Sequence, residues 1–272
     1  MTTSSNPGSS KSAATQQALE AIAKFEGSSK PGVWQHLDKK TILAEMRSRV
    51  NDPFKINQGQ QPFCGPTSVL FELVRKQPLR YVEMCRSLFE EGSLKGKTKT
   101  IPAPDRLRDS SKGNLLMGQV DWMVLATLRQ AESLIFPVDP DAPSIIRNLS
   151  GMSFSWEMSG WTSEILGYNQ INYSTAFRKG DLFALRDANN IVKLGGVGFA
   201  LITAQGLLGT ASTTEADMPL SLPNHWVALL GNVQVKDGRV SFDVYSWGKK
   251  MPVNVTEDNF ERSFWGIVTG MM

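Results

Sequence analysis

Histidine and cysteine are both scarce in this chain, with two of each among 272 residues. Two cysteines are too few for a disulfide framework, although a bridge between Cys64 and Cys85 stays open. Two distant histidines and two cysteines form no cluster with metal-ligand spacing, so we expect no metal site and no cofactor. Any chemistry that needs an imidazole must therefore use His36 or His225.

Long apolar runs and a strong charge of either sign are also missing. No apolar segment approaches the roughly 20 residues that span a bilayer, so we expect no membrane span. The net charge is only +3, and the densest basic cluster, Lys95, Lys97 and Lys99, has no interleaved aromatic residue. This pattern favours a solvated loop over a nucleic-acid surface. Because the N-terminal segment lacks a Sec-type apolar core, we expect a cytoplasmic protein, or one secreted without a Sec signal.

The predicted elements run from helices to strands along the chain. Residues 1–14, rich in Ser, Thr, Gly and Pro, predict a disordered tail. Residues 15–50 contain two amphipathic segments, which predict a helical N-terminal extension. Residues 51–272 are predicted to form one domain that begins with helices and ends with β-branched and aromatic segments, two of them joined by an Asp-Gly hairpin turn at 237–238. This order predicts an α+β fold with an antiparallel sheet.

Cys64 lies between a glutamine-rich loop and an apolar helical segment, in the stretch INQGQQPFCGPTSVLFEL. A buried thiol that follows a loop fits this pattern, and so does a nucleophile. Unpaired N–H groups and the dipole at a helix N-terminus favour a thiolate. Gly65 lets the backbone approach a substrate closely, so the Cys64 amide can face a carbonyl. Gln58, six residues upstream, can supply a second donor to an oxyanion.

A nucleophilic cysteine also needs a base and a group that orients that base. His36 stands beside Asp38 and Lys39 in a polar turn, which favours a surface or capping position. His225 opens the apolar run HWVALLG, which predicts a strand that starts with an imidazole at the sheet edge; a structural histidine is the alternative. Asp243 is an acid in an otherwise apolar strand, costly to bury without a partner. We therefore predict that Asp243 orients His225.

These motifs, in this order, resemble the papain-like cysteine peptidase superfamily. The spacing from Gln58 to Cys64 and the Cys-Gly-Pro-Thr-Ser turn are similar to the bacteriocin-processing peptidases of ABC exporters. The order Cys, His, Asp is also that of papain-fold bacterial effector proteases, and the Ser-Trp-Gly segment that begins at Ser246 resembles papain itself. The resemblance covers motifs between about residues 56 and 248 and not the segments between them. Tyr245 stands where papain has its orienting Asn, which is why Asp243 is assigned that role.

The resemblance implies a helical half that carries Cys64 and an antiparallel β half that carries His225 and Asp243, with substrate in the cleft between them. Gln58 would complete the oxyanion hole. The implied function is a cysteine peptidase that acts on a protein or peptide and needs no cofactor. The same residues also serve glutamine deamidation, transamidation and acyl transfer. A catalytically inactive papain-like binding module is an alternative of a different class.

The biological setting is predicted from three features. The tail is rich in Ser and Thr, no transporter domain is attached, and the motif order is shared with effector proteases. These features favour a delivered bacterial effector or toxin over a housekeeping peptidase. A delivered toxin would be expected to have an inhibitor or immunity protein as a partner.

Overall fold

Helices that share one apolar core form the first half of the protein. The structure, a computed structural model, describes residues 12–132, 155–174, 180–209 and 223–272. The described helices of this half are α1 (Ala13–Glu26), α2 (Lys39–Asn51), α3 (Cys64–Lys76), α4 (Pro78–Glu91), α5 (Asp105–Asp109), α6 (Gln119–Glu132) and α7 (Ser155–Glu164). A 3₁₀ turn (Pro53–Lys55) and a small antiparallel pair, β1 (Ser93–Lys95) and β2 (Thr100–Pro102), lie between them. None of the helices in the described ranges is long and apolar enough to cross a membrane.

Side-chain caps and apolar spacing explain the first two helices. The Ser12 side chain accepts the N–H of Thr15 at the start of α1, and Asp38 does the same for Thr41 in α2. The predicted helices are therefore confirmed, and α1 begins within the last residues of the predicted tail, whose residues 1–11 lie outside the described ranges. The buried residues of both helices belong to the same core as those of α3, α4 and α6. The predicted extension is thus packed into the main core.

An antiparallel sheet of six strands forms the second half. Its strands are β3 (Gln170–Ser174), β4 (Val197–Ile202), β5 (His225–Lys236), β6 (Arg239–Ser246), β7 (Lys249–Thr256) and β8 (Phe264–Met271). They lie in the order β3-β8-β4-β5-β6-β7, and each neighbouring pair is antiparallel. Within the described ranges of this half, three further helices accompany the sheet: α8 (Leu182–Lys193), α9 (Ala204–Leu208) and α10 (Glu257–Ser263). The predicted α+β class and the β5–β6 hairpin are confirmed.

The sheet separates two apolar cores, because successive side chains of a strand point to opposite faces. In β5, Trp226 and Ala228 belong to the core that contains α3 and the other N-terminal helices. Val227 and Leu229 belong to the second core, with residues of α8, α9 and α10. The architecture is therefore three layers, with helices on both faces of the sheet.

Two contacts fix how α3 lies on the sheet. The Ser68 hydroxyl donates to the carbonyl of Trp226 at 3.2 Å. Three residues later, the Phe71 ring stacks on Tyr245, with centroids 3.8 Å apart and planes 5° from parallel. Since Tyr245 is paired with Ala228, α3 and β5 run in the same direction. The N-terminus of α3 therefore lies at the end of the sheet where β5 begins.

Candidate functional site

Cys64 is the first residue of α3, so its backbone N–H and that of Gly65 have no intrahelical acceptor. Pro66 lies in the first turn of the helix, where its missing N–H leaves no intrahelical bond unmade. The thiol of Cys64 is free and 8% exposed. A thiol at such a helix end has donors and a favourable dipole beside it.

Cys85 has the opposite environment. It lies on α4 with no exposed surface, and its thiol is also free, so the bridge to Cys64 that the sequence left open is not formed. Burial raises the pKa of the Cys85 thiol, because a charged thiolate is disfavoured away from water. Only Cys64 therefore has surroundings suited to a reactive thiol.

Gln58 begins a tight turn that ends at Gln61, three residues before Cys64. Its side-chain Nε2 donates to the carbonyl of Gln61 at 3.0 Å, and the N–H of Gln61 donates back to the carbonyl of Gln58 at 3.1 Å. The Gln58 side chain is buried, at 2% exposure. An amide nitrogen carries two N–H bonds. One holds the turn, and the second meets no acceptor in the described part of the chain.

His225 is the first residue of β5 and is held by two residues from the end of β6. Its Nε2 lies 2.6 Å from the Ser246 hydroxyl, and its ring stacks on Trp247 with centroids 4.6 Å apart. The imidazole is 1% exposed. These contacts place the ring at the β6–β7 turn. That turn lies at the end of the sheet where α3 begins.

The β6–β7 turn also contacts the loop that leads to Cys64. Ser246 pairs with Lys249, and both central residues have positive φ, 46° for Trp247 and 74° for Gly248. This is the backbone of a two-residue type I′ turn. A Cβ added to Gly248 would lie 3.3 Å from the Phe54 carbonyl oxygen. Glycine thus lets the turn that carries Trp247 lie directly against residues 54–57.

The α3–β5 contact puts Cys64, at the start of α3, and His225, at the start of β5, at the same end of the sheet. Ser68 is anchored at Trp226, and Cys64 precedes Ser68 by one helical turn, about 6 Å along the axis. His225 directly precedes Trp226 in the strand. A thiol, an imidazole, free backbone donors and a glutamine amide are therefore gathered at one end of the sheet. Together these groups can supply a nucleophile, a base and oxyanion donors.

The prediction that Asp243 orients His225 is wrong. Asp243 pairs with Gly231, which is six residues and about 20 Å along β5 from His225. Its Oδ2 lies 2.8 Å from Lys250 Nζ and 2.5 Å from Asn232 Nδ2. Partial burial raises the pKa of Asp243, but the hydrogen bonds and the charge of Lys250 outweigh it, so the pKa lies below its usual value. Ser246, and not Asp243, lies within hydrogen-bond distance of the His225 ring.

Tyr245 points toward α3, where its ring stacks on Phe71. Its hydroxyl donates to the carbonyl of Ile56 at 2.6 Å and thereby ties the sheet to the loop before Cys64. The second histidine, His36, is exposed in the turn before α2, as predicted. Within the described ranges, no group of three or more His, Cys, Asp or Glu side chains could hold a metal ion.

No protein-family model, curated protein or solved structure matches this chain. The interpretation of the site therefore depends on its own geometry and on the residues that occupy it.

Proposed function

We propose that the protein is a cysteine peptidase of the papain-like type, in which Cys64 attacks the carbonyl carbon of a peptide bond. The observation that carries this proposal is the His225–Ser246–Trp247 cluster at the end of the sheet where α3 presents Cys64. A histidine held by a hydrogen bond and a stacked ring, at the end of the sheet where a helix N-terminus carries a thiol, offers the nucleophile and the base that nucleophilic catalysis requires.

The proposed reaction proceeds in two steps through a thioester. The Cys64 sulfur adds to the carbonyl carbon, and its proton passes to His225. The carbonyl oxygen becomes an oxyanion, which accepts hydrogen bonds from the Cys64 N–H and the Gln58 amide. The C–N bond then breaks, and the leaving amine takes the proton from His225. Water, activated by His225, hydrolyses the thioester and regenerates the thiol.

Ser246 replaces Asp243 in this mechanism. Because its hydroxyl lies on Nε2, we assign the proton exchange with Cys64 to Nδ1 of His225. A hydroxyl carries no charge, so it orients the ring without the electrostatic support that a carboxylate gives to an imidazolium. The stacked Trp247 ring shields one face of the imidazole and restricts its rotation.

The proposal is tested first with p-nitrophenyl acetate, an activated ester that requires little substrate recognition. Acyl transfer to Cys64 should release a burst of p-nitrophenolate equivalent to one thiol per molecule, and Cys64→Ala should abolish it. Cys85→Ala is the matched control and should retain the burst, because the Cys85 thiol is fully buried. A burst of the same size in Cys64→Ala would contradict the proposal.

The reaction class is then resolved by mass spectrometry of proteins incubated with the active chain. A cut in the backbone identifies a peptidase, and conversion of Gln to Glu identifies a deamidase. An acyl group moved to an amine identifies a transferase. A normal fold with no acylation of Cys64 would favour the inactive binding module. Delivery into another cell as an effector or toxin stays a prediction from the sequence.

A further inference from the structure

A buried ion pair lies behind the loop that carries Gln58. Arg49 of α2 donates to both carboxylate oxygens of Asp121 in α6, from Nε at 3.2 Å and from Nη2 at 2.8 Å. The Asp121 side chain is 1% exposed and that of Arg49 is 12% exposed. Oδ2 of Asp121 also accepts the backbone N–H of Asn57 at 3.4 Å. The ion pair thus reaches the residue immediately before Gln58.

The same stretch of loop is held from its other sides. The carbonyl of Ile56 accepts the hydroxyl of Tyr245, and the side chain of Asn57 accepts the N–H of Gly59 at 3.0 Å. Gly59 has φ of 59°, and a Cβ there would lie 2.0 Å from the carbonyl oxygen of Leu116. Residues 56–61, which we call the oxyanion loop, are therefore fixed between the sheet on one side and α2 and α6 on the other.

The geometry of the ion pair is suited to positioning. The planar guanidinium of Arg49 binds both oxygens of Asp121, so it fixes the orientation of the carboxylate as well as its place. Removing two charges from water offsets much of their attraction, so a buried pair adds little net stability by itself. A carboxylate held in one orientation, however, presents a fixed acceptor to the N–H of Asn57.

We propose that the Arg49–Asp121 pair positions the oxyanion loop so that the Gln58 amide faces the developing oxyanion. Neither residue is placed at the reacting atoms; both act through Asn57. The inference rests on the proposed function, because an oxyanion forms only if Cys64 attacks a carbonyl. It adds two positioning residues from α2 and α6, helices that contribute no group to the chemistry itself.

Two reactions of Cys64 separate this role from a general loss of structure. Acylation by p-nitrophenyl acetate passes through an oxyanion, whereas alkylation by iodoacetamide displaces iodide from a saturated carbon and forms none. Asp121→Asn should lower the acylation rate about ten- to a hundredfold, the cost of a small misplacement of catalytic groups. The alkylation rate should stay unchanged.

Three further variants sharpen the test. Glu157→Gln removes the carboxylate of another buried ion pair, Arg129–Glu157, and should alter neither rate. In the Gln58→Ala background, Asp121→Asn should add no further loss, because both changes affect the same donor. Arg49→Lys keeps the positive charge but cannot bind both carboxylate oxygens in the same way. It should lower the acylation rate less than Asp121→Asn does and leave the alkylation rate unchanged. This variant serves as the test if Asp121→Asn does not fold.

The outcomes that overturn the inference are distinct from failure of the proposed function. Equal losses in acylation and alkylation would show a structural role, and no loss in either would show no role. A full additional loss in the double variant would show that Asp121 does not act through Gln58. If wild-type Cys64 takes no acyl group at all, the proposed function itself fails, and this inference fails with it.

Discussion

His225→Ala is expected to lower the rate of Cys64 acylation by about 10²–10⁴-fold, the usual contribution of a positioned general base. The imidazole is buried, hydrogen-bonded to Ser246 and stacked on Trp247, so these contacts hold it in one orientation. A water molecule in the space left by the ring would not have the same contacts and would not be a base in the same geometry. The measurement is the burst rate with p-nitrophenyl acetate. Thermal melting of the same variant reports whether the fold is retained.

The chain supplies matched controls for this variant. His36→Ala removes the other histidine, which is exposed in a turn, and should leave the rate unchanged. Asp243→Asn should also leave it unchanged, because its carboxylate bonds Lys250 and Asn232. Ser246→Ala should cause a loss smaller than that of His225→Ala, since the ring remains but is less well oriented. A larger loss from Asp243→Asn than from Ser246→Ala would restore Asp243 as the orienting residue.

Gln58→Ala is expected to lower the acylation rate by about 10²–10³-fold, as removal of one side-chain oxyanion donor does in other hydrolases. The side chain is buried in the Gln58–Gln61 turn, and one of its two N–H bonds holds that turn. The effect should fall on the acylation step. Binding of the ester should change little, because the oxyanion develops only after attack.

Gln60→Ala is the control for Gln58→Ala. Gln60 lies in the same loop but is exposed, so its removal should not change the rate. Alkylation of Cys64 by iodoacetamide should be equal in the wild type and in both variants. If Gln58→Ala lowers alkylation as strongly as acylation, its role is to maintain the loop and not to donate to an oxyanion.

The elements with strong local signals could be predicted from the sequence. The caps Ser12 and Asp38 and the apolar spacing after them define α1 and α2, and the Asp-Gly turn defines the β5–β6 hairpin. The positions of Cys64 at a helix N-terminus and of His225 at the start of a strand also follow from local pattern. These features depend on residues within a few positions of one another.

The orienting residue could not be read from the same pattern, because it depends on the register of the hairpin. Counting back from the turn, where Lys236 pairs with Arg239, would put Asp243 opposite Asn232, far from His225. The register counted from the Asp-Gly turn therefore argued against Asp243, although it did not identify Ser246. The irregularities in β5 on either side of Gly231 then shift the pairing and bring the β6–β7 turn to His225.

The sequence does not show that Arg49 and Asp121 are partners. They are 72 positions apart. Arg49 stands in an amphipathic helix where a charged residue is ordinary, whereas Asp121 is an acid in a buried apolar run, which indicates a partner without identifying it. Only the packing of α2 on α6 makes them partners and places Asn57 beside them. Contacts of this range depend on the whole core, so a local pattern does not contain them.

The central claim, that Cys64 is a nucleophile activated by His225, is tested most directly by site-resolved alkylation of the native protein. At about pH 6.5, where an ordinary thiol is almost entirely protonated, iodoacetamide should label Cys64 about ten- to a hundredfold faster than free cysteine. Cys85 should stay unlabelled, and His225→Ala should remove the advantage of Cys64. A Cys64 that reacts no faster than free cysteine, or equally fast with and without His225, would contradict the account.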